Sequence, residues 1–282
     1  MEQKYIEVNG AEIAVWERPG LEPAVLYCHA TGFHARCWDS VGDHLVQRSI
    51  AVDMRGHGRS QKPAPPIPWR QFGEDVAELA RKMNLKGVVG VGHSMGGHSI
   101  TLAAALEPEA FSQLVLIDPV ILPEAAYVGP VKHPHFARKR RDRWKSWQEM
   151  VDRYRDRTPF NTWDEQVLND YCEYGLLPAA DGDGFVLACP PEIEGAIYEH
   201  SQAVESNIYP ELATVDVPVT VIRSPRPFVD GPATDMMASP TPPDLAARFR
   251  NGRDIVAEYS HFIPMEAPEY VADQILKVLP PR

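Results

Sequence analysis

Val88-Val89-Gly90-Val91-Gly92-His93-Ser94-Met95-Gly96-Gly97 is a short apolar run that breaks into a glycine-flanked serine and resumes as Ile100-Thr101-Leu102-Ala103-Ala104-Ala105-Leu106. A brief apolar run bounded by a turn signal reads as a buried strand, and the stretch beyond reads as a helix. The pattern is therefore strand, sharp turn, helix. Glycines on both flanks let neighbouring backbone approach closely, so Ser94 can occupy a strained bend with its hydroxyl held out at the strand's carboxyl end. An ordinary glycine turn is the competing reading. The strand before Ser94 and the helix after it argue instead for a presented nucleophile.

Outward from this bend, apolar strands alternate with helical patterns. Strands are expected at 24–28, 49–53, 87–92 and 114–117, with helices near 35–47 and 69–83 and directly after Ser94. Such alternation builds a parallel sheet covered by helices on both faces, which puts catalytic groups at the carboxyl ends of strands. At the start, Asn9-Gly10 joins Tyr5-Ile6-Glu7-Val8 to Ala11-Glu12-Ile13-Ala14-Val15-Trp16, the signal for an antiparallel hairpin with a two-residue turn. Alternation stops after Asp118. Residues 123–212, rich in charge, Trp and Tyr, read as a helical cap insertion within a core domain made of 1–122 and 213–282. Most of the cap aromatics are expected to pack its own small core, with one or two lining a pocket. Strands at 217–222 and 254–259 and a helix at 267–279 complete the pattern.

Composition narrows the class. With 282 residues and 44% hydrophobic content the chain can bury a substantial core. No apolar segment reaches spanning length and Met1-Glu2-Gln3-Lys4-Tyr5-Ile6-Glu7-Val8 has no signal-peptide pattern, so a cytoplasmic protein without a membrane partner is expected. Cys28, Cys37, Cys172 and Cys189 lack metal or disulfide spacing and read as reduced and structural. A net charge of −11 argues against nucleic acid as a partner. One segment differs: Arg138-Lys139-Arg140-Arg141-Asp142-Arg143-Trp144-Lys145 carries six cations in eight positions. It reads as a solvated helix face, with an anion-attracting rim over a substrate entrance as the alternative. His133-Pro134-His135 lacks metal-ligand spacing, and no Rossmann or P-loop glycine pattern appears, so neither metal nor nucleotide cofactor is expected.

Several separated motifs together resemble the α/β-hydrolase superfamily, in the chain order that family uses. Val25-Leu26-Tyr27-Cys28-His29-Ala30-Thr31-Gly32-Phe33 is similar to its oxyanion loop and Asp53-Met54-Arg55-Gly56-His57-Gly58-Arg59-Ser60 to its fourth-strand turn. Gly92-His93-Ser94-Met95-Gly96-Gly97 is similar to its nucleophile elbow, and Ser260-His261-Phe262-Ile263-Pro264-Met265-Glu266-Ala267-Pro268-Glu269 to its histidine loop. The resemblance implies an α/β fold: a mostly parallel sheet with an N-terminal antiparallel hairpin, helices on both faces and a cap.

A serine hydroxyl needs a base at neutral pH, and among ten histidines His261, between a strand and the last helix, is best placed. His57 is read as structural and His93 as directed away from the serine. The acid is irregular. Family members mostly carry it about four residues beyond the penultimate strand, where this chain has a proline, in Arg223-Ser224-Pro225-Arg226-Pro227-Phe228-Val229-Asp230. Asp118, at the alternative position after 114–117, is preferred; Asp230 and Asp235 compete with it. By resemblance the oxyanion donors are the amides of Met95 and Thr31. Because the loop starts His29-Ala30 rather than His-Gly, Gly32 or Phe33 could replace Thr31, whose hydroxyl could assist the oxyanion or cap a turn.

The function expected is a serine hydrolase that cleaves a carboxylic ester of a small or medium soluble compound through an acyl-Ser94 intermediate. Two alternatives share the fold: C–C bond or lactone hydrolysis by the same triad on an anionic substrate, and a non-catalytic ligand-binding protein. An arginine of the 138–143 run turned into the pocket would favour the first. Self-association, for instance as a homodimer, is left open by the sequence.

Overall fold

A computed structural model of the protein describes residues 1–227 and 235–280. The hairpin comes first: β1 (Glu2–Val8) and β2 (Ala11–Arg18) pair antiparallel around Asn9 and Gly10, both at positive φ as a tight two-residue turn demands. Next come β3 (Leu21–Cys28), α1 (Asp39–Asp43) and β4 (Gln47–Val52), followed by α2 (Trp69–Lys82) and β5 (Val88–His93). The helix expected at 35–47 is thus only a 3-10 turn, Ala35–Trp38, running into short α1. Beyond the elbow stand α3 (Met95–Leu106) and β6 (Phe111–Ile117).

The segment between β6 and the next core strand holds β7 (Arg143–Trp144), α4 (Trp147–Tyr154), α5 (Glu165–Tyr174), β8 (Leu176–Pro178), β9 (Phe185–Leu187), α6 (Pro191–Glu199) and α7 (Tyr209–Leu212). It is not purely helical, because β7, β9 and β8 form a small antiparallel sheet. The core then resumes with β10 (Val219–Arg223), β11 (Gly252–Val256), α8 (Ile263–Glu266) and α9 (Pro268–Val278).

The main sheet has eight strands in the order β1-β2-β4-β3-β5-β6-β10-β11, parallel from β4 onward, with β2 antiparallel to both of its neighbours. Alternate residues of a strand face opposite sides. Leu26 and Cys28 accordingly join one core with Val76 and Leu79 of α2 and Ile100 and Leu102 of α3. Val25 and Tyr27 join a second core with Val41 of α1 and Val271 and Ile275 of α9. Helices therefore cover both faces, which is why β5 is buried at every position and reads as one apolar run. Register brings the strand ends level: Cys28 pairs with Gly92, and Ile117 with both His93 and Ile222. Loops after β3, β5, β6 and β10 consequently meet at one edge. Among the described residues no helix is long and apolar enough to cross a membrane.

Candidate active site

Ser94 occupies the bend between β5 and α3 at φ 56° and ψ −118°, the dihedrals of a type II′ turn that glycine fills most easily. A serine there stores about 1–3 kcal/mol of backbone strain. Four backbone bonds hold it: Ser94 N–H donates to the Ile117 carbonyl at 3.0 Å, and the Gly97, Val120 and His98 amides donate to the Ser94 carbonyl at 3.0, 3.1 and 3.3 Å. The glycines are steric requirements. A Cβ on Gly92 would collide with the Gly96 carbonyl, and one on Gly96 with the carbonyl of Cys28 at the end of β3.

From this bend Ser94 Oγ lies 3.1 Å from His261 Nε2, and His261 Nδ1 lies 2.7 Å from Asp118 Oδ2. The three come from the ends of β5 and β6 and from the loop between β11 and α8. Asp118 is fully buried, stands at φ 41°, and donates its amide to the Ile222 carbonyl at 2.6 Å. Its second oxygen, Oδ1, accepts from Ser239 Oγ at 2.5 Å and Ser224 N–H at 3.2 Å. Thus the loop after β10, where the family mostly carries the acid, here contributes donors that orient a carboxylate from β6. Asp235 takes a different part: Oδ1 accepts from the Met237 amide and Oδ2 pairs with Arg226 at 3.3 Å. Asp230 lies outside the described residues.

At the other side of Ser94, the loop after β3 reaches the start of α3. Gly32 N–H donates to His57 Nε2 at 3.0 Å and Phe33 N–H to the Ala30 carbonyl at 3.1 Å. Among the described residues the Thr31 and Met95 amides have no protein acceptor. Those two donors are therefore available to an incoming oxygen, whereas Gly32 and Phe33 are engaged. The Thr31 hydroxyl neither caps a turn nor is left open; it donates to Met95 Sδ at 3.3 Å, linking the two donor-bearing residues. Met95 also begins α3, whose N-terminal dipole favours negative charge.

Supporting histidines complete the loops. His29 Nε2 accepts from the Met54 amide at 2.9 Å and Nδ1 lies 2.8 Å from the Ala30 carbonyl, which fixes an Nδ1–H ring; burial pushes it down to about 4. His57, accepting from Gly32, is held well below the usual histidine range, first by burial and then by His29. The His93 side chain makes no hydrogen bond to Ser94; its Nε2–H donates to the His261 carbonyl at 2.9 Å, and the two rings sit 4.9 Å apart. Burial, with the His261 ring next, keeps His93 well below its ordinary value, so it is neutral at pH 7. His93 and Ser224 carry no sequence signal beyond adjacency to a strand end, and Ser239, far along the loop between β10 and β11, carries none.

Aromatics of the segment between β6 and β10 pack against these loops. Phe33 stands 5.6 Å from Trp163, 5.1 Å from Tyr171 and 6.2 Å from Phe262, inside a cluster that also takes in Met150 and Leu187. They pack on the core's own loops as well as on one another. A cavity bounded by Gly32, Phe33, Arg140, Tyr171 and Leu187 measures about 10 Å³, room for about one water and no acyl chain.

The basic run is not a solvated helix face. It spans a 3-10 turn and β7, and its arginines reach carboxylates: Arg138 to Glu192 and Glu199, Arg140 to Glu194, Arg141 to Glu149, and Arg143 to Asp181. All four cysteines are free and buried. Among the described residues no three His, Cys, Asp or Glu side chains are grouped as metal ligands.

Comparison with known proteins agrees with this architecture. The chain is 27% identical to Lipase LipV of Mycobacterium tuberculosis over 268 residues, covering 92% of this chain and 94% of that protein. It is 30% identical over 115 residues to 2-(acetamidomethylene)succinate hydrolase of Mesorhizobium japonicum, covering 40% of this chain and 41% of that one. The solved thioesterase domain from the curacin biosynthetic pathway has a similar fold, at TM-score 0.72 and 19% identity, with 98% of this chain and 99% of that one covered. These relatives support hydrolysis as the general activity. The model of the alpha/beta hydrolase family matches residues 25–274, and the chain belongs to that family.

Proposed function

We propose that the protein is a serine hydrolase that cleaves a carboxylic ester of a small or medium soluble substrate through an acyl-Ser94 intermediate. The observation that carries this reading is the hydrogen-bonded row Ser94–His261–Asp118, at 3.1 and 2.7 Å, beside the uncommitted Thr31 and Met95 amides. In the proposed cycle, His261 Nε2 takes the hydroxyl proton as Ser94 Oγ attacks the ester carbonyl. Asp118 accepts from Nδ1–H, which holds Nε2 as the basic nitrogen and stabilises the imidazolium that forms. The oxyanion of the tetrahedral intermediate is received by the Thr31 and Met95 amides, each such donor being worth about 10² to 10³ in rate. His261 then returns its proton to the leaving alcohol. A water, deprotonated by His261, attacks the acyl-Ser94 ester and releases the acid.

Cleavage of a C–C bond or lactone in an anionic substrate is supported less well, because the inward arginine it calls for, Arg140, is already paired with Glu194. The test of the ester reading is active-site labelling. A fluorophosphonate is expected to modify the wild-type protein and not Ser94→Ala, with parallel loss of p-nitrophenyl ester hydrolysis; equal labelling of both would refute it.

A further inference from the structure

Beside the oxyanion loop stands a charge pair that the serine chemistry does not use. Arg140 Nη1 lies 2.5 Å from Glu194 Oε2, and Arg140 Nη2 donates to the Tyr171 hydroxyl at 2.7 Å. Glu194 is only 4% exposed, and among the described residues its ion pair is with Arg140 alone. The pair sits directly on the loop: a Cβ added to Gly32 would come 2.6 Å from Glu194 Oε1 and 3.3 Å from Arg140 Nη1. Arg140 and Tyr171 also wall the small cavity against Phe33.

An arginine in this position is the natural receptor for a substrate carboxylate, because its planar fork matches two carboxylate oxygens at once. Here one arm of the fork holds a carboxylate and the other a phenol. A second carboxylate would have to expel Glu194 from its partner or lie beside it, and like charges repel strongly where water is excluded. Opening the cap does not release the arginine. Arg140, Tyr171 and Glu194 all belong to the segment between β6 and β10, so a displacement of that segment carries the pair as a unit. Tyr171, whose oxygen accepts from Arg140, keeps its own proton to donate to an uncharged acceptor.

We infer that Glu194 is a specificity-determining residue: by neutralising Arg140 beside the oxyanion loop it favours uncharged acyl groups bearing a hydrogen-bond acceptor and turns away acyl groups that end in a carboxylate. This rests on the serine-hydrolase reading. The p-nitrophenyl esters of 4-oxopentanoic acid and of succinic acid test it, because they are near-isosteres that differ in a methyl ketone against a carboxylate. For the wild-type protein kcat/KM is expected to favour the oxo ester by about tenfold or more. The preference is expected to persist at about 0.5 M NaCl, which screens the long-range repulsion of a chain of net charge −11. Glu194→Gln keeps the shape and one acceptor for Arg140 but frees its charge. It is expected to move the ratio about tenfold toward the succinate ester, chiefly through KM, and adding Arg140→Gln should abolish that shift. Equal rates on the two esters in the wild-type protein, an unchanged ratio in Glu194→Gln, or a shift that survives loss of Arg140 would each overturn the inference. If the variant does not fold, equal rates of the wild-type protein on the two esters still overturn the inference. Should the wild-type protein cleave neither ester and leave Ser94 unlabelled, the hydrolase reading itself fails; turnover of both without discrimination defeats only the role of Glu194.

Discussion

Asp118→Asn is expected to lower kcat by about 10³ to 10⁴ while leaving the fold intact, and the direction of the amide follows from the structure. Asp118 Oδ1 accepts from two donors, Ser239 Oγ at 2.5 Å and Ser224 N–H at 3.2 Å. An asparagine can satisfy both only with its carbonyl oxygen in that position. Its NH₂ then faces His261 Nδ1, which Oδ2 meets at 2.7 Å in the native protein. Facing a donor, Nδ1 must become the acceptor, so the ring proton moves to Nε2 and points at Ser94 Oγ. The base is then protonated on the wrong nitrogen. Loss of the correct tautomer in a serine–histidine–aspartate arrangement is worth about 10⁴ in kcat, or about 5–6 kcal/mol of transition-state stabilisation at ~1.4 kcal/mol per tenfold. Steady-state hydrolysis of p-nitrophenyl butyrate and the rate of fluorophosphonate labelling should fall together, with far-UV circular dichroism and KM little changed. Asp230→Asn serves as the comparison and is expected to retain near-normal turnover. If Asp118→Asn keeps more than about a tenth of wild-type kcat while Asp230→Asn loses it, the tautomer argument fails.

Further expectations follow from strain, sterics and buried histidines. Ser94→Gly relieves the backbone strain at φ 56°, and is expected to raise the melting temperature by roughly 2 °C, against a Ser94→Ala reference, while abolishing labelling; a lower melting temperature would contradict the strain. Gly96→Ala drives a Cβ into the Cys28 carbonyl, and is expected to destabilise by about 3 kcal/mol or more, read as a reduced urea midpoint or insoluble protein. A soluble variant of native midpoint would show that the elbow and the end of β3 can separate. Burial holds His29, His34 and His98 each down to about 4, whereas in the unfolded chain they titrate near 6.5. Between those values the unfolded state binds protons that the native state does not, so stability falls as pH drops from about 7 to about 4, by ~1 kcal/mol per pH unit for each histidine. His57 and His93 act in the same direction. Urea midpoints that stay level or rise on acidification across that window would refute it.

The sequence by itself determines the fold of this protein, because its signals are local. Period and length separate the buried strand Val88–His93 from the helix after it, and Asn9-Gly10 has a conformational preference that specifies a hairpin. Where local signals weaken, so does the reading. The stretch at 35–47 is broken into a 3-10 turn and five helical residues by packing against the sheet, and β7–β9 are two or three residues long, too short to show a period. Ser94 is legible for the same local reason, since its glycines lie two residues to either side of it. The partners of His261 are not. Asp118, Asp230 and Asp235 all compete along the chain, and only the adjacency of β6 to β5 and β10 brings Asp118, 143 residues away in sequence, against His261 while Ser224 and Ser239 close around its other oxygen. Likewise the run from Arg138 to Lys145 has the same composition whether its charges face water or carboxylates. Its pairing with Glu192, Glu194 and Glu199 exists because α6 folds back across it, a contact between segments more than 50 residues apart that no local pattern encodes.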